Sequence, residues 1–111
     1  MQNGATKNQF EEQLYERRAV ICKAFANPTR LHLLDLVARR DYSAGDLRKE
    51  LCISKANLSQ HLAILKAAGV VVTRRDGNRI HCHVAIPEVK KASNLIRKVL
   101  RAQIRNGSHL I

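Results

Sequence analysis

Apolar residues recur with a helical period through roughly the first two thirds of the chain, with a strand period over the short stretch that follows, and with a helical period again near the end. Phe10, Leu14, Ile21 and Phe25 fall roughly on one stripe, which predicts a first helix over Phe10–Ala26. Asn27-Pro28 ends it and starts the next, because Asn is a good N-cap and Pro suits the first helical position. A second helix over Thr29–Arg39 carries a broad face of Leu31, Leu33, Leu34, Leu36 and Val37. Asp41-Tyr42-Ser43 reads as a polar break, with Ser43 capping a short third helix, Ala44–Leu51. Cys52-Ile53-Ser54 is a tight connection, and Ser54 caps a fourth helix, Lys55–Ala68, with Leu58, Leu62 and Leu65 at i, i+4 and i+7. Gly69 stops it.

The period then changes. Val70–Thr73 is short and β-branched, Asp76-Gly77 is a strong hairpin signal, and Ile80–Ile86 alternates. In that alternation Ile80, Cys82, Val84 and Ile86 take the inner face, and His81, His83 and Ala85 the outer. Pro87 opens a last helix, Glu88 to about Arg105, with Val89, Ala92, Ile96 and Val99 forming a seam suited to another helix. There are no repeats, and only the first eight and the last five or so residues fall outside these elements. The fold class is mostly α with a β-hairpin: five helices in the order ααααββα. A third and fourth helix joined by a tight turn and followed at once by a basic hairpin is the layout of a winged helix-turn-helix.

Composition narrows the partners. The 111 residues suffice for one core, filled by aliphatic side chains, since there are two Tyr, two Phe and no Trp. Twenty Lys+Arg against nine Asp+Glu give a net charge of +11 on a chain that is 45% hydrophobic, so it is both foldable and strongly basic. Such a field draws phosphate polyanions first and anionic membranes second. No apolar run approaches the ~20 residues needed to cross a bilayer, and Met1-Gln2-Asn3-Gly4 opens no signal peptide. Cys22, Cys52 and Cys82 are odd in number and contain no C-x-x-C, which reads as reduced thiols in a cytoplasmic protein rather than a disulfide framework or a zinc finger.

At Ala26-Asn27-Pro28-Thr29-Arg30-Leu31 the chain resembles the ArsR/SmtB family of bacterial winged-helix repressors. The likeness continues through Asp46-Leu47, Leu51, Ser54, Ser59-Gln60-His61-Leu62-Ala63-Ile64-Leu65-Lys66, Ala68-Gly69-Val70-Val71 and Arg74-Arg75-Asp76-Gly77-Asn78-Arg79. It implies one domain over the whole chain, with the helix-turn-helix at about 43–68 and the wing at about 70–86. It also implies a cytoplasmic homodimer, joined through helices at about 9–26 and 88–105, that binds a palindromic double-stranded operator and is released by an inducer, often a metal ion.

The residue types agree with that implication. Residues near the start of the second helix of a helix-turn-helix meet base edges in the major groove. Here these are Ser54, Lys55, Asn57, Ser59, Gln60 and His61. Asn and Gln bond adenine bidentately, and Ser reaches phosphate or either base type. His61 and Lys66 are placed for the backbone. At the wing, Arg74, Arg75 and Arg79 flank the turn at Asp76-Gly77-Asn78, where three cations at one tip suit phosphate or the minor groove. The last helix bears Lys90, Lys91, Arg97, Lys98, Arg101 and Arg105, some of which are expected to answer Glu11, Glu12 and Glu16 of the first helix across a dimer rather than to bind a membrane.

The inducer is where the chain departs from the family it resembles. The third-helix metal site has Cys-x-Cys before Asp-Leu, but Ser43-Ala44-Gly45 stands here. The last-helix site needs Asp and His early and His with Glu or His later, but this helix has Glu88 alone and no His before His109. No metal ligand carries over. His81 and His83 share a strand face and offer two imidazoles to a borderline ion, one ligand short of a site without a partner chain. Cys22 and Cys52 are the candidate sensor thiols, for redox change or a metalloid ion, whereas Cys82 reads as core.

Catalysis needs a nucleophile with a positioned base or a phosphate-cradling loop, and five Gly without a Gly-rich run, with no paired carboxylates near the histidines, argue against an enzyme. A basic module that coats DNA as a nucleoid protein has the same charge, but does not call for Asn57, Ser59 and Gln60 at reading positions.

Overall fold

The computed structural model describes residues 3–107. Five helices and a three-stranded sheet follow one another as α1 (Asn3–Phe25), α2 (Pro28–Arg39), β1 (Tyr42–Ser43), α3 (Ala44–Leu51), α4 (Lys55–Ala67), β2 (Val71–Asp76), β3 (Arg79–Val84) and α5 (Pro87–Arg105). This is a winged helix-turn-helix, as the element order predicts. The boundaries follow local chemistry. The Asn27 side chain accepts the Arg30 amide at 3.0 Å, and the Ser43 and Ser54 hydroxyls accept those of Asp46 and Asn57, each at 3.1 Å. Each cap satisfies one of the amides that a helix start leaves unpaired.

The core is gathered by α2, α3, α4 and the sheet. Leu33, Leu34, Leu47, Leu65, Val71 and Cys82 are its largest fully buried side chains, with Tyr42, Leu58 and Leu62 beside them. Tyr42-Ser43, expected to be a polar break, is instead a strand. It pairs antiparallel with β3 in the register Tyr42↔Cys82 and Ser43↔His81, so that β3 is the middle strand of the order β1-β3-β2. Two residues are too few to show alternation, and the edge of β3 captures them. Tyr42 is buried there, with the Arg40 guanidinium 3.7 Å from its ring centroid.

Several ends differ from expectation. The first helix begins at Asn3, because nothing between Gly4 and Phe10 breaks a helix. Most of the segment expected to lie outside any element is therefore helical, while residues 1–2 and 108–111, His109 among them, lie outside the described residues. The wing strands run further toward the tip, with pairing to Asp76↔Arg79, so the loop is Gly77-Asn78 rather than one centred on Asp-Gly. Gly77 has φ +62° and Asn78 no positive φ, which matches a type II′ connection. Ile86, expected to face inward, is the exposed N-cap position of α5. Cys52 closes α3 in the left-handed region at φ 54°, where glycine is usual. Its amide reaches the Arg48 and Lys49 carbonyls, so the cap bonds are made without glycine.

The two end helices are poorly buried by the rest of the chain. Among the residues of α1 from Lys7 onward, only Ala24 and Phe25 are buried, and Phe10, Leu14, Tyr15, Val20 and Ile21 are exposed. The α5 seam is split. Val89 and Ser93 pack inward, whereas Leu95, Ile96, Val99, Leu100 and Ile104 are exposed. The Ser93 hydroxyl donates to Asp35 Oδ1 at 2.8 Å and Arg97 pairs with Asp35 Oδ2, fixing α5 on α2. Arg97, one of the cations expected to answer acids of the first helix, is thus matched to α2 within its own chain.

Candidate nucleic-acid interface

Helix α4 is oriented by its leucines. Leu58, Leu62 and Leu65 are buried, which leaves Asn57, Ser59 and Gln60 exposed away from them, Gln60 most directly opposite, while Lys55, three residues before Leu58, is exposed on the leucine side. The αL cap at Cys52 and the extended Ser54 turn the chain between α3 and α4 within three residues. The Ser54 oxygen is occupied as a cap acceptor, so what it has left to offer a phosphate is its hydroxyl proton.

A groove of about 530 Å³ runs between α3, the start of α4 and the wing. Its walls carry Arg48, Lys49, Lys55, Arg75 and Arg79 against a single carboxylate, Asp46. Asn78 and Ser59 add neutral polar groups. An open trough edged by cations and hydroxyls, beside a polar helix face, fits a strand of phosphates rather than an apolar ligand. Sequence reasoning missed Arg48 and Lys49. They lie on the helix before the turn, and their only local signal is a pair of adjacent cations at its C-terminal end, which also suits the helix dipole.

The wing needs one correction. Arg74, Arg75 and Arg79 do not all project one way. In an antiparallel pair, side chains alternate between faces, and the register sets Arg75 opposite Ile80 but Arg74 opposite His81. Arg75 and Ile80 share one face and line the groove, whereas Arg74, His81 and Arg79 share the other, Arg79 reaching the groove from its place beside the turn. Lys66 sits farther along α4 and lines a smaller hollow with Thr73 and Ile80.

His61 is half-buried, not extended toward solvent like its neighbours. Its Nδ1 stands 3.4 Å from Arg30 Nη1, and burial, then the Arg30 charge, push its pKa below the ordinary 6.5. His81 and His83 are half-buried on β3, and His83 Nδ1 is buried without a partner. Among the described residues no group of three or more His, Cys, Asp and Glu is gathered as a metal site. Cys22 and Cys52 are free and exposed, and Cys82 is buried in the core as expected. Burial pushes the Cys82 thiol up, with Lys66 opposing weakly, which keeps it protonated and unreactive. Among the described residues no helix is long and apolar enough to cross a membrane.

Comparison with known proteins agrees with this geometry. The family described as bacterial regulatory protein, arsR family, matches residues 27–73, from the cap of α2 into β2. The HTH-type transcriptional regulator Rv0081 of Mycobacterium tuberculosis is 40% identical over 90 residues, covering 80% of this chain and 79% of that one. Its crystal structure superposes with a TM-score of 0.78 over 84% of this chain and 94% of that one. The transcriptional activator HlyU of Vibrio cholerae is 34% identical over 97 residues, covering 86% of this chain and 90% of that one. The solution structure of Mb0332 from Mycobacterium bovis, described as a homodimeric winged helix-turn-helix DNA-binding domain, has a TM-score of 0.78 at 27% identity, over 91% of this chain and 93% of that one. With a helix-turn-helix, a wing and a cation-lined groove already in place, these likenesses establish that the chain belongs to the ArsR family of bacterial regulatory proteins and is a DNA-binding transcriptional regulator.

Proposed function

We propose that the chain works as a homodimeric repressor on a palindromic operator, with one α4 in each of two successive major grooves about 34–36 Å apart. The observation that carries this reading is the exposed polar face of α4, Asn57, Ser59 and Gln60, with Ser59 itself in the wall of the cation-lined groove. The dimer is supported by shape. The radius of gyration is 17.0 Å with extents of 54 × 46 × 23 Å, against ~13 Å for a compact chain near this length. The flat body leaves the apolar faces of α1 and α5 without a partner inside the chain.

One experiment separates base reading from phosphate contact and tests the coating alternative. Gln60→Ala is expected to lower discrimination between a selected duplex and random DNA by about 1–3 kcal/mol at one base position. Arg79→Ala is expected to weaken binding to both alike and to reduce the salt slope by about one unit. Equal loss on both duplexes with Gln60→Ala removes it from base contact. A footprint spread evenly along DNA favours the nucleoid-like reading over the repressor.

For release, the support lies in two free, exposed thiols, one on α1 and one at the cap that turns α3 into α4. In this reading oxidation or arsenite acts at Cys22 and Cys52 and lowers operator affinity. The loss is expected in the wild type and not in the Cys22→Ser, Cys52→Ser variant. Affinity that ignores both treatments sinks the thiol reading.

A further inference from the structure

Three helices meet at one guanidinium. Arg30 of α2 donates from Nε to the Ala24 carbonyl at 2.8 Å and from Nη2 to that of Lys23 at 3.2 Å. Both carbonyls belong to the last turn of α1, where a helix runs short of backbone donors, and that of Lys23 also accepts the Ala26 amide at 3.1 Å. The third contact reaches α4, where Arg30 Nη1 faces His61 Nδ1 at 3.4 Å. A guanidinium has donors only, so Nδ1 is the acceptor and carries no proton. A neutral ring so held keeps its proton on Nε2. That atom has no partner among the described residues and is not buried.

We propose that Arg30 is a positioning residue for DNA binding: it holds His61 as the Nε2–H tautomer, so that α4 offers a phosphate oxygen a neutral imidazole donor. The inference rests on the DNA-binding reading of α4. The ring lies one residue beyond Gln60 on the same helix, and its free edge reaches the surface. Burial and the Arg30 charge favour the neutral form, and among α1, α2, α3 and β2, which pack on α4, Arg30 supplies the charge that acts on the ring. The same contact ties the end of α1 to α4, so the helix that bears the exposed apolar stripe and the helix that reads DNA share one side chain.

The pH dependence follows. Because the folded ring has a lowered pKa, this contact contributes fully above 6.5 and is lost as pH falls through the folded value. A protonated Nδ1 then presents a donor to a donor.

Long-range proton–nitrogen NMR of the free protein at neutral pH reads the tautomer without any DNA. The wild type is expected to show His61 protonated at Nε2, and Arg30→Gln to show mixed tautomers with a higher His61 pKa. On a duplex selected by the wild-type protein from a random-sequence pool, Arg30→Gln and His61→Ala are each expected to lose about tenfold in affinity, the scale of one hydrogen bond to a charged group. The double variant should bind no more weakly than either single one. Arg30→Lys, which keeps a charge and a donor beside the α1 carbonyls, replaces Arg30→Gln where the latter lowers the melting temperature. An Nδ1–H tautomer in the wild type, wild-type affinity in His61→Ala, or losses that simply add would each overturn the proposal. A pool that yields no bound duplex overturns the DNA-binding reading with it, and leaves the tautomer measurement to show that the fault lies there.

Discussion

Ile96→Asp together with Leu100→Asp is expected to convert the protein from a dimer to a 12.5 kDa monomer and to cut operator affinity by about 10²–10⁴-fold, the usual gain from linking two binding events. Both residues are exposed in the single chain, so the substitutions leave its core untouched. They lie at i and i+4, on one face of α5. Burying each large aliphatic side chain across an interface contributes about 1.5–3 kcal/mol, and a carboxylate at the same place adds a desolvation cost instead. Helix α1 supplies the other half of the argument. It has 23 residues, of which from Lys7 onward only Ala24 and Phe25 are buried, and an isolated helix with so few contacts is marginal in water. Sedimentation of the variant together with operator titration checks the expectation. A variant that remains dimeric and binds as tightly as before would place the interface elsewhere.

The stretches that were legible beforehand are those where local chemistry decides. Asn27, Ser43 and Ser54 each accept an amide three residues on, so their helix starts could be read from residue type and position alone. The leucine spacing of α4 likewise settled which of its residues face out, and Asn57, Ser59 and Gln60 do. What could not be read depends on contacts between distant segments. Tyr42-Ser43 becomes a strand only because β3 passes beside it. His61 looked like its exposed neighbours until Arg30, 31 residues earlier, claimed its Nδ1. Arg74 and Arg75 are adjacent in sequence and were grouped by charge, whereas the pleat sends them to opposite faces. Cys52 in a left-handed cap gives no signal of its own, since glycine is the residue that normally announces one.

The second large effect concerns the scaffold that aims α4. Leu65→Ala is expected to lower stability by about 2–5 kcal/mol, through lost burial and the cavity left behind. Its side chain is fully buried among the leucines of the core. The total stability of a domain is only about 5–15 kcal/mol, so this one change removes a large part of it. Ile64→Ala, one residue away, is expected to change stability by about 0.5 kcal/mol or less, because Ile64 is 43% exposed. Denaturant unfolding of the two variants at one protein concentration makes the comparison. The contrast has a bearing on function, because Ile64 lies four residues beyond Gln60 and shares its face of the helix. Were the two costs equal, α4 would be rotated from the orientation described. Gln60 would then no longer point away from the core, and the base-reading role assigned to it would fall with the stability argument. Were they to differ as expected, the leucine side of α4 holds the helix in place and the Gln60 side is left free for DNA.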